Sequence, residues 1–312
     1  MRYIIGVDLG GTQLRAALAG EQGAIYDEVR VRTAADDGPA AVIEQIVACV
    51  AQVRAALPEG AQLAGLGVGA PGPLDPLAGL VLGPPQLRGW DEVPLRALLA
   101  DRTGLPVELG NDANAAALGE WMFGAGRSRQ NLVYITVSTA IGGGVIADGR
   151  LLLGHRGAAA EVGMQIVEPA GMRYWEELAS GTALGLAAAD AMSDDPASLL
   201  HGLATPESVT AADVARAAAA GDRLAGELME REAELLGLGL VNVLHLYAPE
   251  LILIGGSVVT NNPWLIERAQ AVIAARAHPF YHGVPIELAA LGDRAGLLGA
   301  VALFLHMREG RA

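Results

Sequence analysis

Three short aliphatic blocks, Tyr3 to Asp8, Leu14 to Ala19 and Ile25 to Arg32, open the chain, separated by Gly-Gly-Thr and Glu-Gln-Gly. Blocks of this length bounded by turn residues predict a meander of strands. Pro39 to Leu57 changes period, with apolar side chains at helical spacing, and Leu63 to Gly69 reads as a buried strand that ends in Ala-Pro-Gly-Pro-Leu-Asp. A strand over Val107 to Asn111 runs into a helix over Ala113 to Phe123. The opening is then played a second time: Leu132 to Val137 and Ile141 to Ile146 are strands joined by Ser-Thr-Ala, with Gly149-Arg150 as the next turn. From Ser180 the pattern is mostly helical, over Gly181 to Met192, Thr210 to Ala220 and Asp222 to Tyr247. One strand, Leu251 to Ile254, interrupts it, and helices follow Pro263 and span Ala295 to Met307. Ser193 to Glu207, with Pro196 and Pro206, reads as a loop. The repeated strand, Gly-rich turn, strand predicts two similar α/β domains.

Composition narrows the chemistry. The 312 residues carry 21 basic and 35 acidic side chains, a net charge of -14, and every basic residue is Arg. Without Lys there is no phosphate-binding loop of the GxxxxGK[ST] type, no Schiff-base amine and no protein-kinase strand lysine. Nucleotide chemistry that works through backbone amides stays open. The acidic balance and the absence of an Arg-rich run argue against nucleic acid as a partner. A single cysteine, Cys49, fits a reducing compartment, and the early acid Asp8 argues against a signal peptide, so a cytoplasmic location is expected. No apolar run has membrane length, since Leu238 to Val259 is broken by His245, Pro249 and Glu250, so no membrane partner is expected.

The Gly-rich turns carry the candidate chemistry. In Asp8-Leu9-Gly10-Gly11-Thr12-Gln13 the glycines let backbone N–H groups approach an anion, Thr12 adds a hydroxyl, and Asp8 is placed to hold Mg²⁺ through water. Val137-Ser138-Thr139-Ala140-Ile141-Gly142-Gly143-Gly144 repeats the design with hydroxyls and a glycine triplet. Two such turns facing each other would clamp a triphosphate, and Gly255-Gly256-Ser257 after a strand offers bare backbone to a base or ribose. Gly110-Asn111-Asp112-Ala113-Asn114 joins a strand to a helix, with Asp112 at or next to the N-cap. A plain cap would account for that acid alone. Beside a phosphate site, a carboxylate kept ionised by the helix dipole also suffices as base for a sugar hydroxyl that loses its proton late in phosphoryl transfer.

These motifs in this order, DLGGTQLR, GAPGPLD, GNDANAAALGE, TVSTAIGGGVIADGRLLLG, AAAEVG, WEELASG and LILIGGS, resemble the ROK-family sugar kinases. These are the bacterial glucokinase-like members of the actin-like ATPase superfamily. The match covers Ile5 to about Gly299. The resemblance implies a two-domain actin-like ATPase (ribonuclease H-like) α/β fold, with mixed sheets and ATP in an interdomain cleft. It implies Asp112 as catalytic base, Asn111, Glu161 and Glu176 as acceptors for sugar hydroxyls, and the segment around Gly69 lining the same pocket. Carboxylates suit that task because each accepts from two vicinal hydroxyls. The nucleotide falls to Asp8, Gly10, Gly11, Thr12, Thr139, Gly142, Gly143, Gly255 and Gly256. A homodimer is expected on the same ground.

Departures from the family pattern bear on the sugar. The usual GExGH followed by CxCGxxGCxE, whose His and three Cys hold a structural zinc, is here Glu161-Val162-Gly163-Met164 and a shortened QIVEPAGMRY before Trp175-Glu176. All four ligands are gone together, so no structural zinc is expected. Met164 also removes a polar contact to the sugar and makes that wall apolar. Ala140 and Ala160 stand where Gly is typical, and Gln86 where Asn is frequent. Ala140 disfavours a positive φ, which would shift the phosphate turn slightly. His155, near the sugar loop, is a candidate for the lost imidazole, although a surface histidine is the plainer reading.

The expectation is an ATP- and Mg²⁺-dependent hexose kinase of the glucokinase type. A small domain is expected over 1–112, with the helix at about 295–312 packing back on it, and a larger one over 113–294. The alternatives are a kinase for mannose, fructose, allose or N-acetylmannosamine, and a catalytically silent sugar sensor. A sugar-responsive repressor of the same family would carry an N-terminal helix-turn-helix, whereas here the first strand begins at Tyr3.

Overall fold

The computed structural model describes Arg2 to Glu309. The opening meander forms as β1 (Arg2–Leu9), β2 (Gln13–Gly20) and β3 (Ile25–Arg32), antiparallel throughout. Helix α1 (Pro39–Arg54) follows, with Pro39 in its first turn, where the missing N–H costs no hydrogen bond. Next come β4 (Gln62–Ala70), a small ribbon of β5 (Leu74–Asp75) and β6 (Leu80–Val81), and α2 (Leu95–Thr103), a helix the hydrophobic pattern did not announce. The pair β7 (Val107–Asn111) and α3 (Asp112–Phe123) completes a sheet in the order β3-β2-β1-β4-β7, in which β1, β4 and β7 are parallel.

The second sheet has the order β10-β9-β8-β13-β14 and begins with β8 (Leu132–Val137), β9 (Ile141–Ala147) and β10 (Arg150–Leu151). A short hairpin of β11 (Ile166–Glu168) and β12 (Arg173–Tyr174) leads to α4 (Glu176–Ala179) and α5 (Gly181–Met192). Helices α6 (Ala211–Ala219) and α7 (Arg223–Tyr247) precede β13 (Leu251–Gly255), which runs parallel to β8. Then come α8 (Ser257–Thr260), α9 (Trp264–Arg276), the edge strand β14 (Ile286–Leu288) and α10 (Ala295–Glu309). Ser193 to Glu207 is more ordered than a loop. It contains a 3₁₀ turn, Leu199–Gly202, pinned by Asp222, which accepts from the Ser198 hydroxyl at 3.1 Å and the Leu199 N–H at 2.7 Å.

The chain divides into two compact units. One takes the residues up to Gln130, Gly144–Ala160 and the segment from Ala290 onward, and the other takes Asn131–Gly143 and Glu161–Ala289. In the first, the twofold period of β1 sends Ile5, Val7 and Leu9 to one face, where they pack with Val42, Ile46, Val50 and Leu99. Ile4, on the other face, packs with Val301, Phe304 and Leu305 of α10. That helix lies so close to the sheet that a Cβ on Gly67 would stand 1.8 Å from the Ala300 carbonyl oxygen. Asp8 shares the face of Ile4, and so the period of β1 turns its carboxylate toward α10. Among the described residues no helix is long and apolar enough to cross a membrane.

Candidate active site

In the first unit the sheet register gathers the candidates along one edge. Asp8 pairs with Gly69 across β1 and β4, and Gly69 pairs with Gly110 across β4 and β7. The parallel strands therefore end together, at the edge where ligands bind in α/β sheets. Asn111 and Asp112 follow at once. Asn111, not Asp112, is the N-cap: its Oδ1 accepts from the N–H groups of Ala113 at 2.9 Å and Asn114 at 3.1 Å. With both lone pairs of that oxygen used, its Nδ2 is left as a donor. Asp112 is the first helical residue, and its Oδ1 accepts from the Ala113 N–H at 2.8 Å. The partial positive charge of the α3 N-terminus favours its ionised form.

Asp8 is mostly buried and faces Arg15, whose Nη2 and Nε donate to Oδ2 at 2.5 and 3.1 Å. Arg15 is itself held by the Asp293 carbonyl at 2.6 Å. A Cβ on Gly296 would run into the Asp8 carboxyl, so α10 leaves room for it only because that position is glycine. The turn after β1 is fixed by the Thr33 hydroxyl, which donates to the Gly10 carbonyl at 2.7 Å, and by the Thr33 N–H, which donates to the Thr12 carbonyl at 3.0 Å. Neither Gly10 nor Gly11 adopts a positive φ. Gly11 is set against Gln86, whose Cβ would be 2.7 Å from any Cβ placed there, and Thr12 is exposed. Among the described residues no group of three or more His, Cys, Asp or Glu is arranged to hold a metal ion. A hydrated Mg²⁺ that takes its other ligands from phosphates needs no such cage, and the Oδ1 of Asp8 fits that use.

In the second unit the turn after β8 is neutral. The Ser138 N–H donates to the Ala140 carbonyl at 3.0 Å, and the Ser138 carbonyl accepts from the Gly181 N–H at 2.6 Å, at the start of α5. Ala140 is not in the left-handed region, so the expected shift of this turn does not arise from its φ. Gly142 and Gly143 lie within β9, and Gly143 faces the Val162 side chain. Gly255 ends β13. Gly256 has φ 87°, and a Cβ there would stand 2.3 Å from the Val137 carbonyl oxygen, so both backbone and packing demand glycine. Thr139 and Ser257 open on a cavity of about 420 Å³, lined also by Thr182, Glu207 and Thr210. The lining from α5, α6 and the segment before it was not read from the sequence. Its one local signal is the capping box of Thr210 and Asp213, which fixes where α6 begins.

Glu161 and Glu176 belong to the same unit and sense each other. Desolvation, and then the like charge of Glu176, push the Glu161 carboxyl above its ordinary value. Glu176 follows Trp175, which is fully buried, donates from Nε1 to the Leu235 carbonyl at 2.9 Å and packs on Gly239. The β11–β12 hairpin stands where the family pattern has its cysteine loop. Glu168 closes it, accepting from the Ala170 and Gly171 N–H groups at 2.8 Å each. Met164 is 46% exposed. In the first unit, His155 is exposed, and Ala160, buried beside Glu161 in sequence, has φ 65°.

A family model described as ROK family matches residues 4–307. The chain belongs to the ROK family. A glucokinase from Thermotoga maritima is 35% identical over 309 residues, covering 96% of each chain. A ROK hexokinase from Thermus thermophilus superposes with a TM-score of 0.82 at 33% identity, over 99% of this chain and 100% of that one. A ROK glucokinase from Streptomyces griseus, solved in complex with glucose and AMPPNP, gives 0.81 at 32% identity, over 96% and 98%. The two mixed sheets are those of the actin-like ATPase fold that such ROK sugar kinases share.

Proposed function

We propose that this ROK protein is an ATP-dependent hexose kinase of the glucokinase type, transferring the γ-phosphoryl group to a sugar hydroxyl. The observation that carries this reading is the register that brings Asp8, Gly69, Asn111 and Asp112 to one sheet edge in a chain 35% identical to a glucokinase over nearly its whole length. Asp112 takes the proton of the attacking hydroxyl as its oxygen bonds to phosphorus and the bond to the leaving ADP breaks. Asn111 contributes a donor to the sugar, and Glu161 and Glu176 accept from its hydroxyls. The hydroxyls of Thr12 and Thr139 and the bare backbone at Gly10, Gly11, Gly142, Gly143, Gly255 and Gly256 receive the nucleotide, with its base in the cavity beside Ser257. Asp8 is the residue that would hold a Mg²⁺ ion. The ion, when bound, neutralises charge on the phosphates.

The same reading takes the protein to be a cytoplasmic homodimer that folds without zinc, its sugar loop stapled by Glu168 in place of a metal. Stoichiometric zinc in purified protein would contradict the last point. The exposed Met164 favours one second reading, a kinase for an N-acylated hexosamine whose apolar substituent meets that side chain. An ADP-release assay over glucose, mannose, fructose, allose and N-acetylmannosamine tests both. Turnover highest on glucose supports the first and highest on N-acetylmannosamine the second; no turnover on any sugar contradicts both and supports a sugar sensor.

A further inference from the structure

Helix α5 borders a second cavity of about 370 Å³, formed with β12, α4 and α7 in the same unit. Leu178, Leu184, Leu228 and Leu235 supply an aliphatic wall, charged side chains line the rest, and one of the charged residues is buried. Glu232 is 2% exposed, and its Oε1 is buried without a hydrogen-bond partner. A carboxyl in that state opposes folding, and no group of the described protein offsets it. The charges around it come from the elements that line the cavity. On its own helix Arg231 is exposed, and from β12 the Arg173 guanidinium donates to the Glu177 carbonyl at 2.9 Å. Glu177, from α4, accepts the Tyr174 N–H at 2.8 Å. Asp190 and Asp194, on and just past α5, are exposed, and the cavity thus has four carboxyls against two guanidiniums.

This combination selects its ligand by charge and by shape. An anion would meet the carboxylates of Glu177, Asp190 and Asp194, and a neutral solute would gain no attraction from them. A compact cation with a hydrocarbon body satisfies the acid at the wall and the leucines around it. We propose that this cavity binds a small aliphatic amine, its ammonium group on Glu232 and, in a diamine, its outer end toward Asp190 and Asp194. Burial pushes the Glu232 carboxyl up to about 8, so at neutral pH it is protonated in the free protein. The amine arrives as ammonium, Glu232 ionises to meet it, and one proton passes to solvent.

Isothermal titration of the native protein at neutral pH, in two buffers of different ionisation enthalpy, tests this with putrescine, butylamine, butanol and butyrate. Both amines are expected to bind with release of about one proton, putrescine more tightly, while butanol and butyrate do not bind. Glu232→Gln should weaken both amines by at least about tenfold. Asp190→Asn with Asp194→Asn, both exposed and harmless to folding, should weaken putrescine by about threefold and leave butylamine unchanged. The proposal is overturned if neither amine binds, if butanol binds as tightly, if no proton is released, or if Glu232→Gln binds undiminished. Should that variant fail to fold, an equal loss of both amines in the Asp190/Asp194 pair, or of neither, overturns it instead.

Discussion

At the turn after β1 a carboxylate stands against a guanidinium, Asp8 on Arg15 at 2.5 Å, and two hydrogen bonds from Thr33 hold the backbone in place. At the turn after β8 there is no charge. The Ser138 and Thr139 hydroxyls stand there instead, on a turn whose Ser138 carbonyl accepts from the Gly181 N–H of α5 and which opens on a cavity. The same strand, turn, strand topology thus carries two chemistries. In the proposed kinase the first unit supplies the charged groups that act on the reacting atoms, and the neutral turn of the second holds the body of the nucleotide by backbone and hydroxyl contacts. A chain without Lys can do this because neither turn needs an amine.

The comparison breaks most visibly at Asp112. Asp112→Asn is expected to lower kcat by about 10²–10⁴ with KM for ATP changed by less than about threefold; steady-state kinetics on the preferred hexose measure this. Next comes Asp8→Asn, which leaves Arg15 with half its partner. A fall in kcat of about 10² with half-saturation at higher Mg²⁺ is expected, read from Mg²⁺ titrations of the rate. On the neutral side, Gly256→Ala strains the backbone and meets Val137. It should raise KM for ATP by about tenfold or more while kcat falls less than about threefold, so a loss confined to kcat would erase the distinction between the turns.

The two acids proposed to hold the sugar, Glu161 and Glu176, give a smaller, pH-dependent effect. Because Glu161 is pushed above its ordinary value of 4.5, it protonates before a free carboxylate does as pH falls, and a protonated carboxyl is a poorer acceptor for two hydroxyls. KM for hexose should therefore rise by about threefold to tenfold toward mildly acid pH, and Glu161→Gln should flatten that profile. The stability sign is opposite. A raised folded value means that the contribution is complete below 4.5 and is lost as pH rises through the folded value. Smallest is Ala160→Gly, which relieves a φ of 65° and should add about 1 kcal/mol, a rise in Tm of about 2 °C by calorimetry.

Much of this was legible in the sequence wherever local physics decides. The meander, the Pro39 helix start and the strand that runs into α3 all follow from period and punctuation. The role of Asn111 was less so: Asn and Asp are both good caps, and only the two N–H groups bonded to Asn111, those of Ala113 and Asn114, show which one caps. Helix α2 is short and weakly patterned, LRALLADRT, although Pro94 and the left-handed Gly104 do bracket it. The turn at Leu199–Gly202 depends on Asp222, distant in sequence, and so its residues looked like a loop. The same limit hid the cavity beside Thr139 and Ser257, whose lining is assembled from the turn after β8 and from α5, α6 and α8. Where the cysteine loop of the family pattern would stand, the sequence showed only missing ligands, and the hairpin closed by Glu168 could not be read from it.

The division between a reacting unit and a holding unit is tested most directly by single-turnover phosphoryl transfer at saturating ATP and hexose, comparing Asp112→Asn with Thr139→Ala. Saturation removes the contribution of binding, so only the chemical step is read. The account predicts that Asp112→Asn slows transfer by at least about 10² and Thr139→Ala by less than about threefold. Equal slowing of both, or transfer by Asp112→Asn within about tenfold of the native rate, would contradict it.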